Sequence, residues 1–140
     1  MKALTICQPY AHLIAQGRKT CENRTWETRY RGLLYIHAGK SRQWLNLDED
    51  GTDDGIHVDQ MEFGAVVAIC RLAACLHIDS RLLPEWTAKM TDEQKGHVSG
   101  EYCWILTDVH PIQPFPWKGA QGLWDCDAVT RSAVTVSEQR

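Results

Sequence analysis

The sequence predicts a mixed α+β chain folded as a small β-barrel with short flanking helices. Three observations carry this expectation. Several short strand-like runs are separated by Pro, Gly and polar clusters, only two or three stretches have helical spacing, and strands and helices do not alternate in the βαβ rhythm of a parallel sheet. A chain of 140 residues, 44% hydrophobic and 24% charged, suits one domain with its own core, read here as spanning 1–140.

Lys2 to Cys7 alternates loosely and reads as a first strand, which Gln8-Pro9 breaks. Pro9 to Gln16 then suits a short helix, with proline at its start, Ala11, Leu13 and Ile14 as its apolar contacts, and Gly17 as the left-handed stop. Thr20 to Trp26 and Leu33 to His37 read as strands. Ser41 to Leu47 is a candidate short helix. Residues 48–57, beginning DEDGTDDG, are read as a mobile acidic surface loop, because eight residues without an apolar side chain bury too little to offset the entropy of ordering them. Phe63 to Ile78 is the most strand-like segment; apolar residues at both parities in its first half predict burial on both faces, with Arg71 and His77 reaching solvent. Arg81 to Gly96 reads as a covering helix, Glu101 to Val109 as a strand, and PIQPFPWKGAQGLW as a connection.

The formal net charge of −3 averages over unlike segments. Residues 1–45 hold eight basic and two acidic side chains, a balance of +6; residues 46–62 hold seven acidic and no basic ones, −7; the remainder contributes −2. A mildly acidic average therefore conceals a basic N-terminal third and does not exclude a polyanionic ligand. MKALTICQPY lacks the apolar core of a signal peptide, and no run approaches the roughly 18 apolar residues of a membrane span. The expected location is the cytoplasm, with six cysteines as reduced thiols. The six histidines show no H-x-x-x-H spacing, there is no C-x-x-C pair, and the acidic run lacks the register of a calcium loop. No metal or cofactor is expected.

The densest chemistry lies between Gly17 and the second strand, where Lys19, Glu22 and Arg24 place an ammonium, a carboxylate and a guanidinium within six residues. In an extended segment Glu22 and Arg24 share parity and face one side. One reading is a surface salt bridge contributing about 0–1 kcal/mol. The other is a polar cluster at the mouth of a cleft. Trp26, Tyr30, Tyr35 and Trp104 are candidate stacking platforms, of which Tyr35 and Trp104 lie inside apolar strands and read as core.

Gly17, Lys19, Glu22 and Arg24 form G-x-K-x-x-E-x-R; Gln8-Pro9-Tyr10-Ala11 precedes them, and Trp26, Tyr30-Arg31-Gly32 and Ile36-His37-Ala38 follow. Phe63-Gly64-Ala65, Glu101-Tyr102-Cys103-Trp104 and Lys118-Gly119 continue the pattern. Together these resemble the ASCH domain family of the PUA-like superfamily. The resemblance implies a β-barrel with a cleft beside the first helix, binding RNA, single-stranded nucleic acid or a modified nucleoside. Lys19, Glu22, Arg24, Trp26, Tyr30, Arg31, His37 and Lys40 are the candidate binding residues: the cations neutralise phosphates, Glu22 accepts from a base amine or hydroxyl, and the aromatics stack. No membrane partner is implied.

The alternative is a small hydrolase. One branch of the family resembles this chain at the same loop and removes an acetyl group from acetylated cytidine using a Lys, a Thr three positions later and a remote Glu. Lys19 fits, Glu101 stands for the remote Glu, but Glu22 occupies the position of the Thr, and a carboxylate does not replace an activated hydroxyl. In a ribonuclease, Lys19 would stabilise the phosphorane and Glu22 or His37 would move protons. His37, at a strand end beside Gly39-Lys40, is expected to be exposed.

Overall fold

A computed structural model describes residues 1–125 of the chain. Cys126, one of the six predicted thiols, lies outside them; Cys7, Cys21, Cys70, Cys75 and Cys103 are free. Strand β1 (Lys2–Ile6) leads into helix α1 (Tyr10–Ala15), followed by β2 (Cys21–Arg24), β3 (Gly32–Ala38), a two-residue hairpin of β4 (Thr52–Asp53) and β5 (Ile56–His57), β6 (Ala65–His77), α2 (Leu83–Thr87), α3 (Asp92–Gly96), β7 (Tyr102–Pro116) and β8 (Leu123–Asp125). Six strands form one sheet in the order β2-β7-β6-β3-β1-β8. Among the described residues only β1 and β3 pair in parallel.

The sheet curls because its long central pair is not regular. β6 and β7 run for 13 and 15 residues and shift register at Val66/Ala68, Ile69/Arg71 and Leu72/Ala74, and β3 shifts against β6 at Ile36/His37. Each irregularity bends the strand that carries it and increases its twist. The result is a half-barrel, the predicted α+β architecture. Helix α1 packs across β3, β6 and β7, its Ala11 and Ile14 meeting Leu34, Ile36, Leu72 and Trp104 in the main core. Trp104 is fully buried, as the sequence predicts, with Trp26 edge-on to it at 4.7 Å between ring centroids. Ala3, Tyr35, Val66, Ile69 and Ile112 form a second cluster, and α2 brings Leu83 onto a third with Cys21, Ala74, Cys103 and Ile105. Among the described residues no helix is long and apolar enough to cross a membrane.

Four sequence expectations are corrected. Ser41–Leu47 forms a single turn closed by Leu45 N to Arg42 O at 3.1 Å; with Trp44 exposed there is too little buried face to propagate a helix. The acidic segment is a folded hairpin, because short acidic side chains hold its backbone: Asp48 Oδ1 accepts from Asp50 N and Thr52 N, Asp53 Oδ2 accepts from Asn46 N, and Ile56, just beyond the polar run, is buried against Leu13 and Met61. The covering helix at 81–96 is two helices, since Thr91 caps α3 and exchanges hydrogen bonds with Gln94 in a capping box. The connection after Val109 is the second half of β7 followed by β8. Prolines 111, 114 and 116 are tolerated because β2 pairs only with Tyr102–Ile105, so beyond that point β7 has sheet pairing on one edge alone among the described residues.

The hairpin's anchoring has a measurable consequence. Ile56→Ala should cost about 2–5 kcal/mol in urea unfolding, as for a buried aliphatic side chain. A loss below about 0.5 kcal/mol, the figure for a surface substitution, would mean that the segment is solvated as its composition suggests.

Candidate functional site

The turn between α1 and β2 is a hook. Gly17 takes φ +75°, which a residue with a Cβ adopts only with strain, and the amides of Arg18 and Lys19 both return to the Leu13 carbonyl at 2.9 and 3.2 Å. This curls the chain under the end of α1 and carries Lys19 inward, leaving it 3% exposed. Its ammonium donates to the Cys21 carbonyl and lies 3.7 Å from Glu22 Oε1 and 5.5 Å from the centre of the Tyr10 ring. Glu22 Oε2 accepts from Arg24 Nε at 3.0 Å and lies 2.9 Å from Nη2, which also donates to the Thr5 carbonyl at 3.0 Å. The shared parity of Glu22 and Arg24 on β2 is thus realised in a direct ion pair.

The cluster holds two cations and one carboxylate. Removing an ammonium from water costs several kcal/mol unless its donors are met, and Lys19 has three. One is used on Cys21, while Glu22 at 3.7 Å attracts by charge but lies beyond hydrogen-bond distance. The geometry leaves donors and one uncompensated positive charge facing a cavity of about 480 Å³. That volume lies within the range of small-ligand sites.

The cavity walls are tied to the hook. Thr5 to Cys7 at the end of β1 and Tyr10 form one side, and Gly96, His97 and Ser99 form the other. Asn23 pins this second wall: its Nδ2 donates to His97 O at 2.7 Å and its Oδ1 accepts from Ser99 N at 3.1 Å. Helix α3 is held against the hook by Gln94 Nε2 donating to Gly17 O at 2.8 Å and by the Arg18–Glu93 ion pair at 2.8 Å. Burial and then the Lys19 charge push His97 below the ordinary imidazole value, an effect that the carboxylates of Asp54 and Glu93 oppose. Trp44, 58% exposed, stands on the rim.

Of the candidate residues, Lys19, Glu22 and Arg24 converge on this cleft. His37 and Lys40 line a second cavity on the other side of Thr5. Trp26 packs on Trp104, the Tyr30 hydroxyl donates to the Leu33 carbonyl, Arg31 donates to the carbonyls of Thr28 and Tyr30, and Glu101 is exposed; none of the four lines either cavity. The expected exposure of His37 is corrected: it is 2% exposed, because its parallel register partner on β1 is Thr5 and the chain at Trp117 covers it. Its Nε2 lies 2.6 Å from the Trp117 carbonyl, which can only accept, so Nε2 carries the proton and Nδ1 accepts from the Thr5 hydroxyl at 3.1 Å. Burial lowers its pKa, partly offset by that carbonyl. Thr5, Asn23, Trp44, His97 and Ser99 were not among the candidates. Asn23 alone carried a local signal, its place between Glu22 and Arg24 on β2. Among the described residues no three His, Cys, Asp or Glu side chains cluster as metal ligands.

His12 and His97 are held below 6.5 as well, each first by burial. Below 6.5 the unfolded chain therefore binds more protons than the folded one, and stability, complete above that value, falls as pH drops through it. The urea midpoint should hold between pH 8 and 7 and fall between 6.5 and 5.5, with a shallower fall in His37→Gln. A midpoint unchanged down to pH 5.5 would contradict the buried neutral imidazoles.

Comparison with known proteins agrees with this architecture. The ASCH domain family model matches residues 4–116. No curated protein sequence matches the chain. Among solved structures, ASCH from Zymomonas mobilis is similar at a TM-score of 0.57 with 17% identity, covering 96% of this chain and 94% of that one. Two single-substitution mutants of that protein give TM-scores of 0.57 and 0.56, also at 17% identity, covering 96% of this chain and 96% and 94% of theirs. At that identity the structures speak for the fold alone, whereas the family match spans most of the sequence, from β1 to the end of β7. The chain belongs to the ASCH domain family.

Proposed function

We propose that the cleft of Lys19, Glu22 and Arg24 binds single-stranded RNA by taking in one of its nucleosides, modified or unmodified. The observation that carries this reading is the buried Lys19 ammonium, which has more donors than acceptors in the protein and faces a cavity of nucleoside scale. Lys19 meets a phosphate or a base carbonyl, and Arg24, anchored by Glu22 and Thr5, adds positive potential. Glu22 accepts from an exocyclic amine, the role a carboxylate plays toward cytosine N4. Trp44, on the rim, offers a face on which a base stacks. Family membership supports the same ligand class, since ASCH domains are generally thought to bind RNA.

Binding is favoured over amide hydrolysis by what the cleft presents. Glu22 stands at the position of the hydroxyl and is committed to Arg24. Of the three hydroxyl-bearing residues lining the cleft, Thr5 is engaged with His37 and Trp124, and neither Tyr10 nor Ser99 stands three positions after Lys19. Glu101 is outside it.

Fluorescence anisotropy with a labelled single-stranded RNA hexamer, read across a salt series, tests the proposal. Lys19→Ala should weaken binding at least tenfold and reduce the salt slope by about 0.7, one phosphate contact on a single strand. Unaltered affinity in a folded Lys19→Ala variant, or wild-type binding that ignores salt, would overturn the reading. Release of free cytidine from N4-acetylcytidine by the wild type but not by Lys19→Ala would replace it with the hydrolase.

A further inference from the structure

Thr5 lies between two cavities. Its carbonyl accepts from Arg24 on the cleft side, while its hydroxyl binds His37 in the floor of a second cavity of about 920 Å³. Lys40, Phe63, Trp117 and Lys118 also line that second cavity, and among the described residues no carboxylate lines it. Two cations with no acidic residue in that lining favour an anion, and in a chain of net charge −3 that local excess is not a property of the surface at large. The two aromatics add flat apolar faces. Arg42 lies over the Phe63 ring at 4.4 Å, a third cation at the rim.

The cavity is built around close backbone approach. A Cβ on Gly119 would lie 2.5 Å from Thr5 Oγ1 and 2.7 Å from His37 Nδ1, so only glycine lets this segment close over the floor. A Cβ on Gly64 would lie 2.9 Å from Lys40 Cε, so the lysine stem runs directly across that glycine. Gly64 O also accepts from Trp117 N at 3.0 Å, which ties the aromatic wall to the lysine wall. Four segments distant in sequence thus present a hydrogen-bonded floor, two cations and two aromatic rings to one space.

Resting on the reading of the cleft above, we propose that this second cavity is the subsite for the adjoining nucleotide, with Lys40 and Lys118 on its phosphate and Trp117 stacked on its base. The ligand is then a strand of at least two nucleotides that passes over Thr5, not a free nucleoside. Catalysis is not required for this role. His37 acts as a positioning residue, holding Thr5 and the Trp117 carbonyl in place.

The test uses the full chain and the RNA hexamer. A Lys40→Ala/Lys118→Ala double variant should lose at least tenfold in affinity, with a salt slope shallower by about 1.4, two contacts on a single strand. Trp117→Ala, which keeps the backbone carbonyl, should weaken binding at least fivefold with the slope unchanged, separating stacking from charge. Lys89→Ala, in the turn after α2 and lining neither cavity, should bind as the wild type does. Wild-type affinity and slope in the double variant, with Lys19→Ala still impaired, would overturn the second subsite and leave the cleft standing. Wild-type binding in all of these variants would remove both. Equal losses in Lys89→Ala and the double variant would show diffuse charge attraction and also overturn the subsite.

Discussion

The cleft exists because the β6–β7 pair is bent. Strands of 13 and 15 residues paired without interruption would form a long, gently twisted ribbon; three register shifts between them turn it into a half-barrel that wraps α1. With α1 seated across β3, β6 and β7, the hook at Gly17 runs back under the end of the helix, its Arg18 and Lys19 amides bonded to the Leu13 carbonyl. Lys19 is buried as a consequence of that path. The same curvature brings the end of β1 beside β2, so that Thr5 can receive the Arg24 guanidinium.

What the bend encloses is electrostatically unbalanced. Glu22 sits between Lys19 and Arg24, and Arg24 is held through Nε and Nη2 by Glu22 and Thr5, so the cluster keeps a surplus positive charge with spare donors on the buried Lys19 and on the partly exposed Arg24. A buried ion pair is weak evidence of a device for stability, since apolar replacements of similar volume are often as stable. The arrangement makes better sense as a site kept ready for an anion or a polar base edge. From the acidic hairpin, Asp54 reaches this region with its charge, which is felt at both Arg18 and His97. The −7 of residues 46–62 lies in a segment that does not line the cleft, so the acidic average of the chain does not describe the cleft wall.

Much of this was legible locally. The Gly17 stop, the common parity of Glu22 and Arg24, and the two-sided burial of β6 all follow from rules acting over a few residues, and the structure agrees with each. Two kinds of misreading occur: the capping box of Thr91 and Gln94 was a local signal passed over, whereas elsewhere the deciding partner was remote in sequence. His37 looks exposed beside Gly39-Lys40, but its surroundings are Thr5 and the Trp117 carbonyl. The prolines of β7 look like those of a connection until the shortness of β2 leaves that edge without a sheet neighbour among the described residues. DEDGTDDG looks disordered by composition, yet Asp48 and Asp53 spend their carboxylates on its own backbone, and Ile56 finds Leu13. His97 and Ser99 join the cleft through Asn23 and through the contacts of α3 with the hook, for which a single sequence carries no pattern.

The central claim is that ligand enters the wall built from the hook, β1 and the segment after α3. Amide chemical shifts of isotopically labelled protein titrated with a single-stranded RNA hexamer test it most directly. The account predicts that the largest changes fall at Thr5 to Cys7, at Lys19 to Arg24 and at Gly96 to Ser99, with further changes at Lys40 and at Trp117 to Gly119. Changes confined to the outer turn at Tyr30 to Leu33, or no change at saturating RNA, would contradict it.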